Sequence, residues 1–367
     1  MATSRFENTI DKVFLIYIVI ITVFGLAALI SASGPLGVNK FGDSFFYVKR
    51  QIVSGLLPGL ALFFLLLKIN YEKWRKFSWV IYVGAVLLLA LVFVPGIGAT
   101  INGAKSWLSI FGKNFQPSEI AKLALIIFGA YLLSDRKRNL QDWQMGVMPI
   151  LTLLSPVLLL VFFQPDMGTL FIMLVILFAM MLVAKVPKKY LFVLGSLAII
   201  AFVVMVVAKP YRMDRLTIFM HPEIDPLGVG YQINQAFLAV GSGGVWGTGI
   251  GMSRQKYQYL PEVNSDSIFA IIAEETGFIF STVLIILITL IGLRGLKIAK
   301  NADSEFGRLL ATGIVVWLIW QSFLNIGAMV GILPLTGVPL PFISHGGSAL
   351  LAELAAVGLI LNISKKV

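Results

Sequence analysis

An aspartate stands where the longest polar segment of the chain meets an apolar run. Asp266 follows Asn264 and Ser265, and all three residue types favour helix N-termini, where they accept hydrogen bonds from free backbone N–H groups. Because three capping residues in succession are redundant, Asp266 is a candidate functional carboxylate. The helix face that it begins continues with small residues, namely Ala270, Ala273 and Gly277. Such a strip predicts either close helix packing or room for a ligand beside the carboxylate.

A second candidate is a pair of ionisable residues within an apolar run. Glu119 and Lys122 are three residues apart, so a helix places both on one face. Charged side chains inside a membrane are costly, and pairing offsets part of that cost. Two interpretations stay open: a structural ion pair, or a pair that positions a polar substrate or holds a cavity open.

Two similar motifs begin apolar runs, Gln116-Pro117-Ser118-Glu119 and Gln164-Pro165-Asp166. Proline is tolerated in the first turn of a helix because its missing N–H would have no partner there. An acidic residue is favoured at the positive end of the helix dipole. Both motifs therefore predict helix starts.

The glycine-rich segment Gly247–Gly251 has the composition of a nucleotide-binding loop but lacks its context. No strand precedes it and no βαβ unit surrounds it, so we exclude a dinucleotide site. Just upstream, apolar residues recur at helical spacing, at Ile233, Ala236, Phe237 and Val240. They predict a short amphipathic helix, lying at the membrane surface or packed on the rest of the protein.

Composition indicates a membrane protein. Hydrophobic residues form 58% of the 367 residues and charged residues 13%, against about 25% charged in soluble domains. We predict an all-α, polytopic integral membrane protein with one domain over residues 1–367. Without cysteine there are no disulfides, and two histidines without a cysteine cluster argue against a zinc site. In a membrane protein, the net charge of +11 is better explained by the distribution of Lys and Arg that sets membrane orientation. No nucleic-acid partner is expected.

Ten apolar segments predict ten membrane spans of about 20 residues each. Their approximate bounds are 13–32, 48–67, 77–96, 118–134, 146–163, 167–184, 190–208, 267–293, 309–331 and 347–363. The connection between spans 7 and 8, residues 209–265, is the longest. Connections of that length are usually functional or disordered, and its aromatic residues favour the functional alternative.

Charge predicts the orientation. The connections on one side, together with both termini, carry most of the 29 Lys and Arg residues although they are shorter. The positive-inside rule places that side, and both termini, in the cytoplasm. The 209–265 loop and the other unusual segments then lie together on the outer side, which points to function there.

Long motifs in these outward segments resemble those of the SEDS proteins (shape, elongation, division and sporulation), a family that includes FtsW and RodA. The segment LPEVNSDSIFAIIAEETG resembles the family signature. Others follow in the family's order across most of the chain: NGAKSW, QPSEIAK, QPDMGTL, DPLGVGYQ, AVGSGGVWGTGIG and LPLTGVPLPFISHGGS. The segments GMSRQK and LTGVPLPF are more similar to the FtsW-like branch than to the RodA-like branch.

The resemblance implies a peptidoglycan glycosyltransferase that polymerises lipid II at the outer face of the cytoplasmic membrane. Asp266 stands at the family's essential aspartate, and Glu119 and Lys122 match its charged pair. Trp107 matches a tryptophan of the outward loop before span 4. All four are therefore candidate site residues.

Three positions differ from the family pattern. Asn264-Ser265 replaces the usual His-Thr, and Ser106 replaces an arginine, so that Lys105 is expected to supply the charge beside Trp107. His345 replaces the tyrosine of the Ser-Tyr-Gly-Gly-Ser motif, in which Ser344 is a candidate substrate contact.

The implied reaction needs a base for a sugar hydroxyl and positive charge for a departing pyrophosphate. Asp266 is placed to be the base. The basic candidates, which could instead attract anionic lipid head groups, are Arg212, Arg215, Arg254 and Lys256. A divalent cation, Mg²⁺ or Mn²⁺, could share that role with Asp266 as its ligand, and no organic cofactor is expected. The sequence leaves base and ligand open.

The resemblance also implies partners and a location. A class B penicillin-binding protein is expected to supply transpeptidation, because this chain has no soluble domain of its own. Other membrane proteins of the division or elongation machinery are expected beside it, in a bacterial cytoplasmic (inner) membrane.

Two other functions compete with polymerisation. A lipid II flippase would also carry intramembrane charges and broken helix starts, but the polar residues concentrate on one side and no inverted repeat is evident. A scaffold that only recruits a transpeptidase would leave Asp266 and its small-residue strip unexplained.

Overall fold

The computed structural model describes residues 9–101, 104–110, 113–135, 139–207, 217–221, 224–225, 228–257 and 259–365. Within them, eight helices are long and apolar enough to cross a membrane, and Met167–Val183 is a shorter apolar helix. With Lys188–Val207, they correspond one to one to the predicted spans. The prediction of an all-α polytopic membrane protein is confirmed.

The helices follow the predicted spans within a few residues at most ends. In chain order, the described helices are α1 (Lys12–Phe41), α2 (Phe46–Lys68), α3 (Tyr71–Leu91), α4 (Pro117–Ser134), α5 (Trp143–Phe163), α6 (Met167–Val183), α7 (Lys188–Val207), α8 (Val229–Ser242), α9 (Ile268–Lys300), α10 (Glu305–Met329) and α11 (Gly347–Ser364). Helices α2 and α5 each contain one π-helical turn, at Ile52–Leu56 and Trp143–Val147.

Helix α1 begins where predicted but is longer. The Asp11 carboxylate accepts a hydrogen bond from the backbone N–H of Phe14 at 2.9 Å and caps its first turn. The helix continues through Pro35 and ends at Phe41. Gly42 then takes the left-handed conformation (φ 69°), and its N–H bonds to the carbonyl of Val38, a common helix ending.

Two helices form the centre of the bundle. In the most apolar part of α4, 83% of residues are buried, and in α11 the share is 89%, against 22% in α3. Helices α4 and α11 are therefore surrounded by protein, whereas α3 presents most of its surface outward. The ionisable residues Glu119, Lys122 and Glu353 lie on these two central helices.

The start of the first helix and the end of the last helix lie next to each other, on the same side of the bundle. The Arg294 side chain in α9 forms an ion pair with Asp11 at 2.8 Å, and the backbone N–H of Asp11 donates to Ser364 Oγ at 3.0 Å. An even number of spans requires this arrangement, so the geometry agrees with ten predicted crossings.

A small antiparallel sheet precedes α4 and was not predicted. Its strands are β1 (Gly98–Ile101), β2 (Ala104–Ile110) and β3 (Lys113–Phe115), with β2 in the middle. On β2, Ser106 and Leu108 are buried and Trp107 is half-buried on the opposite face. A serine on the buried face hides the apolar alternation by which strands are recognised.

The predicted amphipathic helix is present as α8 and packs on the bundle against α9. Its buried residues include Ile233 and Ala236, while Phe237 is more than one-third exposed. The interpretation as a helix packed on the bundle is therefore supported.

Helix α9 is broken at Gly277. Its φ of 73° and ψ of −174° interrupt the helical hydrogen bonds and would leave backbone groups without partners inside a membrane span. The residues that follow α8, numbers 243–249, fill this break with their own backbone. The bonds across the break run from Thr248 N–H to Glu274 O (2.9 Å), from Gly249 N–H to Glu275 O (3.0 Å) and from Phe278 N–H to Gly244 O (2.9 Å).

This close backbone contact explains the glycines. A Cβ on Gly247 would lie 2.2 Å from Glu275 O, and one on Gly277 would lie 2.2 Å from Gly247 N. The glycine-rich segment is thus an intramolecular support for a broken membrane helix, and its composition has no connection with nucleotides.

We expect Gly247→Ala to destabilise the protein more than Gly244→Ala. Both glycines have positive φ, 83° and 53°, but a Cβ at Gly244 would meet nothing within 4 Å. The left-handed backbone costs a non-glycine residue about 1–2 kcal/mol, and the collision at Gly247 adds ~1–3 kcal/mol. Apparent melting temperatures in detergent measure the difference, and equal values for the two variants would contradict this account.

Candidate active site

Asp266 lies in a turn, two residues before α9, with only 9% of its surface exposed. Its backbone carbonyl accepts a hydrogen bond from Asn325 Nδ2 of α10 at 2.7 Å. The segment before α11 passes the carboxylate on another side, because a Cβ on Gly337 would lie 3.9 Å from Asp266 Oδ2. The carboxylate therefore stands at the junction of α9, α10 and the loop between α10 and α11.

Asp266 is not the N-cap residue of α9. The N-cap position of α9 belongs to Ser267, and it makes no side-chain capping bond. The small-residue strip serves close packing, since a Cβ on Gly243 would lie only 2.1 Å from Ala273 O. At that end of the strip the chain's own backbone takes the space considered for a ligand.

The loop before α11 is bonded to the residues that precede Asp266. Ser344 Oγ donates to Ser265 O at 2.6 Å and accepts from Leu340 N–H at 2.8 Å, while His345 N–H donates to Asn264 O at 2.7 Å. Because the single Ser344 proton is already used, the geometry favours a structural role for Ser344 over the predicted substrate contact.

His345 is the neutral member of this junction. Burial lowers its pKa to about 4, and the positive charge of Arg50 acts in the same direction. The ring of Tyr47 lies edge-on to the imidazole with 5.3 Å between centroids. A tyrosine, which the resemblance implies at this position, would likewise be uncharged at neutral pH.

We expect the protein to lose stability as the pH falls from about 6.5 towards 4. A histidine whose pKa is depressed on folding stabilises the folded state fully above its unfolded pKa of about 6.5, and protonation of the unfolded chain removes that contribution at lower pH. His345→Tyr should reduce the pH dependence of the melting temperature over this window. The matched control is His221→Gln, because His221 is the other histidine of the sequence; an unchanged profile in His345→Tyr would contradict the assignment.

Glu119 and Lys122 form the predicted ion pair, with Lys122 Nζ 2.9 Å from Glu119 Oε1. Each residue is 1% exposed. Lys122 Nζ also donates to Gln321 Oε1 at 2.6 Å and lies 4.8 Å from the centre of the Trp317 ring. Because the pair is enclosed in this way, the structure favours the ion-pair interpretation over direct contact with a substrate.

The first Gln-Pro motif begins α4 as predicted, with Pro117 as its first residue. In the second, Pro165 lies before the helix rather than in its first turn, and Asp166 is the N-cap of α6. The two helix starts meet. Gln116 Nε2 donates to Asp166 Oδ2 at 3.3 Å, and Asp166 caps α6 through Thr169 N–H at 3.1 Å. The Gln116 N–H donates to Ser348 Oγ of α11 at 3.1 Å. The starts of α4, α6 and α11 therefore adjoin one another.

Comparison with known proteins identifies the family. Its sequence model, that of the FtsW, RodA and SpoVE cell cycle proteins, matches residues 11–367. The chain belongs to this family. It is 39% identical to "Stage V sporulation protein E" of Bacillus subtilis, over 97% of both chains. It is also 39% identical to "Probable peptidoglycan glycosyltransferase FtsW" of Geobacter sp., again over 97% of both.

Solved structures agree. One, described as showing structural coordination of polymerization and crosslinking by a peptidoglycan synthase complex, has a TM-score of 0.77 and 30% identity over 97% of both chains. The crystal structure of Thermus thermophilus rod shape determining protein RodA has a TM-score of 0.71 and 27% identity, covering 97% of this chain and 96% of that one. The fold is therefore that of the FtsW/RodA/SpoVE family throughout.

The Lys256 side chain is bonded to other groups of the protein. Its ammonium pairs with Glu275 Oε1 at 2.8 Å, donates to Gly251 O at 2.7 Å and lies 3.3 Å from Ser31 Oγ. The residue is 4% exposed. This geometry counts against the predicted pyrophosphate contact, because all three ammonium protons have partners and the side chain is enclosed.

Glu274 holds the neighbouring turn in the same manner. Its carboxylate accepts hydrogen bonds from Ser253 Oγ and from the backbone N–H of Arg254 at 2.8 Å. The two acids beside the break in α9 thus fasten residues 251–256 to the bundle. Sequence reasoning missed both, although consecutive acidic residues inside an apolar run are a visible signal.

Trp107 and Lys105 lie in β2, and both are half-buried. Lys105 Nζ donates to the carbonyl of Phe93 at 3.3 Å. Ser106 is buried, so its position could not present a charge outward without a rearrangement. The structure thus ties the Lys105 ammonium to the end of α3, and substrate contact by these two residues stays a prediction.

The remaining basic candidates are Arg212, Arg215 and Arg254. Arg212 and Arg215 lie outside the described residues. Arg254 is exposed and is anchored by its backbone alone, so its guanidinium is accessible. Among the residues that the structure describes, no group of three His, Cys, Asp or Glu side chains could hold a metal ion by itself.

Three buried polar residues close to this junction were also missed. Asn325 and Gln321 bond the loop before α11 from α10. Glu353 Oε2 accepts a hydrogen bond from Phe342 N–H at 2.8 Å and holds that residue at a φ of 63°, which is rare outside glycine. The signal in each case was a polar residue within an apolar span.

Proposed function

We propose that this chain is a peptidoglycan glycosyltransferase that polymerises lipid II at the outer face of the cytoplasmic membrane, in cell division or elongation. One observation carries the proposal: the buried Asp266 carboxylate lies where α9, α10 and the loop before α11 meet. Relatives named FtsW share 39% identity across 97% of the chain. Their names also favour the FtsW-like branch.

The chemistry assigned to Asp266 is proton removal. An incoming sugar hydroxyl attacks an anomeric carbon, the bond from that carbon to the polyprenyl pyrophosphate breaks, and the hydroxyl proton passes to the carboxylate. A carboxylate just before a membrane helix benefits from the positive end of the helix dipole. The buried setting around Asp266 keeps bulk water away from the glycosyl donor.

We propose that the leaving pyrophosphate is bound by Arg254 and by a divalent cation, Mg²⁺ or Mn²⁺. Mg²⁺ is commonly held by one or two carboxylates together with substrate phosphates, and Asp266 fits that limited donor set. The described residues offer no larger acidic group, so the cation would arrive with the substrate. Loss of polymerisation on chelation, reversed by added Mg²⁺ or Mn²⁺, tests this.

We propose a class B penicillin-binding protein as partner, along with other division or elongation proteins. The support is a related structure described as a complex that coordinates polymerization and crosslinking. Co-purification from native membranes tests the pairing, and a protein that is always isolated and fully active would contradict it. The concentration of Lys and Arg on one side supports both termini in the cytoplasm.

The decisive experiment supplies lipid II to purified protein in detergent, with and without a co-expressed class B penicillin-binding protein. Glycan polymer in either condition, lost in Asp266→Asn, supports the transferase. Absence of polymer in both conditions, with scrambling of lipid II in liposomes, would establish a flippase instead. If the protein shows neither polymerisation nor scrambling, the scaffold function is the alternative that remains.

A further inference from the structure

One face of α10 carries three polar groups at helical spacing. Trp317, Gln321 and Asn325 are each four residues apart, and a helix places such residues in line. All three are buried, at 0%, 0% and 2% exposure. Polar groups enclosed within a membrane bundle are costly unless they are hydrogen-bonded, so their partners indicate what this face does.

Asn325 joins two separate segments. Its Nδ2 donates to Asp266 O at 2.7 Å and to Val338 O at 2.9 Å. The residue before Val338 is Gly337, whose missing Cβ would lie 3.9 Å from Asp266 Oδ2. The Asn325 amide therefore sets the separation between the aspartate backbone and the loop that runs beside its carboxylate.

Gln321 holds the next residue of the same loop. Its Nε2 donates to Pro339 O at 2.9 Å, while its Oε1 accepts from Lys122 Nζ at 2.6 Å and from Trp317 Nε1 at 2.8 Å. Two successive carbonyls of the loop are thus held by two successive turns of α10. The Lys122 ammonium and the Trp317 indole N–H together orient the amide that does this.

We propose that Asn325 is a positioning residue for glycosyl transfer, which fixes the Asp266 backbone against residues 337–339, and that Gln321 extends this control to the Glu119–Lys122 pair. The inference rests on the proposed role of Asp266. Asn325 acts through the backbone of that residue and does not touch the reacting atoms. Displacement of a catalytic group by about 1 Å costs on the order of 10²-fold in rate, so loss of the two bonds should lower turnover rather than substrate binding.

The test compares Asn325→Leu with Ser322→Ala. Ser322 is a buried polar residue of the same helix, 4% exposed, and its hydroxyl bonds only to Leu318 O of its own helix, at 2.8 Å. We expect kcat for lipid II polymerisation to fall by about ten-fold to 10²-fold in Asn325→Leu, the scale of a small misplacement of a catalytic group, while KM changes little. Ser322→Ala should retain wild-type turnover.

Each assay is run well below the melting temperature of every variant, so that the fraction folded does not enter the rate. A second variant, Asn325→Asp, keeps the size of the side chain but replaces both N–H donors with an acceptor, and it should lose turnover as Asn325→Leu does. Folded Asn325 variants with wild-type kcat, or a loss confined to KM, would overturn the inference. If Asp266→Asn itself polymerises normally, the proposed base falls; if only the Asn325 variants do, the positioning role alone falls.

Discussion

Asp266→Asn is expected to abolish polymerisation of lipid II while the protein stays folded. The amide matches the carboxylate in size, and the Asn325 bond to residue 266 uses the backbone carbonyl, which the substitution preserves. An amide cannot take the proton of a sugar hydroxyl. Removal of a general base typically costs 10²–10⁴-fold, roughly, in rate, which brings polymer formation below detection in a gel assay.

The matched control is Glu262→Gln. Glu262 is an acidic residue of the same segment, but its side chain is exposed, so its neutralisation should leave polymerisation unchanged. Melting curves and size-exclusion profiles of both variants show whether each is folded. A folded Asp266→Asn protein that polymerises at the wild-type rate would exclude the base and the cation-ligand roles together.

The same variant separates those two roles. If Asp266 holds a divalent cation with the substrate pyrophosphate, weaker cation binding in Asp266→Asn should be compensated in part by a higher concentration of Mg²⁺ or Mn²⁺. If Asp266 is the base, no concentration of cation restores the lost proton acceptor. Titration of either metal against polymer yield therefore assigns the carboxylate.

The sequence predicted the architecture well because membrane spans follow directly from bilayer thickness. Most of the twenty bounds of the ten predicted spans agree with the helices within a few residues. The errors lie where local pattern and tertiary packing diverge. Helix α1 passes through Pro35, and strand β2 buries Ser106, so neither shows the usual signal.

The candidate site was predicted as residue types rather than as contacts. Glu119 and Lys122 were paired correctly because helical spacing determines their proximity. Lys256 was predicted as a ligand contact because nothing in its own segment shows that Glu275, 19 residues later, would meet its ammonium. Asn325 was missed for the same reason, since its partners at 266 and 338 become neighbours only in the folded bundle.

The break in α9 illustrates the same limit. Small residues in line with Asp266 predicted close packing or ligand space, and both interpretations fitted the sequence. The fold places backbone from residues 243–249 against Gly277. Periodicity alone reveals a small-residue strip, whereas its occupant is determined by a segment some 30 residues earlier in the chain.

Lys122→Met is expected to lower stability and polymerisation together, and Glu119→Gln combined with it should restore stability alone. Removal of one member of a buried ion pair leaves an uncompensated charge and costs ~3–5 kcal/mol. The double variant has no such charge, so its melting temperature should recover most of that loss. Thermal unfolding and lipid II polymerisation are measured on the two single variants and the double variant.

Polymerisation should stay low in the double variant because Lys122, besides pairing with Glu119, helps to orient the Gln321 amide. Its Nζ donates to Gln321 Oε1 at 2.6 Å, and Gln321 Nε2 donates to Pro339 O at 2.9 Å, in the loop that runs beside Asp266. Methionine fills the space of the lysine stem but cannot donate, so the Gln321 amide keeps only the Trp317 bond and loses one of the two that orient it. A stable double variant with restored polymerisation would show that the pair only braces the bundle, and that the loop beside Asp266 keeps its position without it.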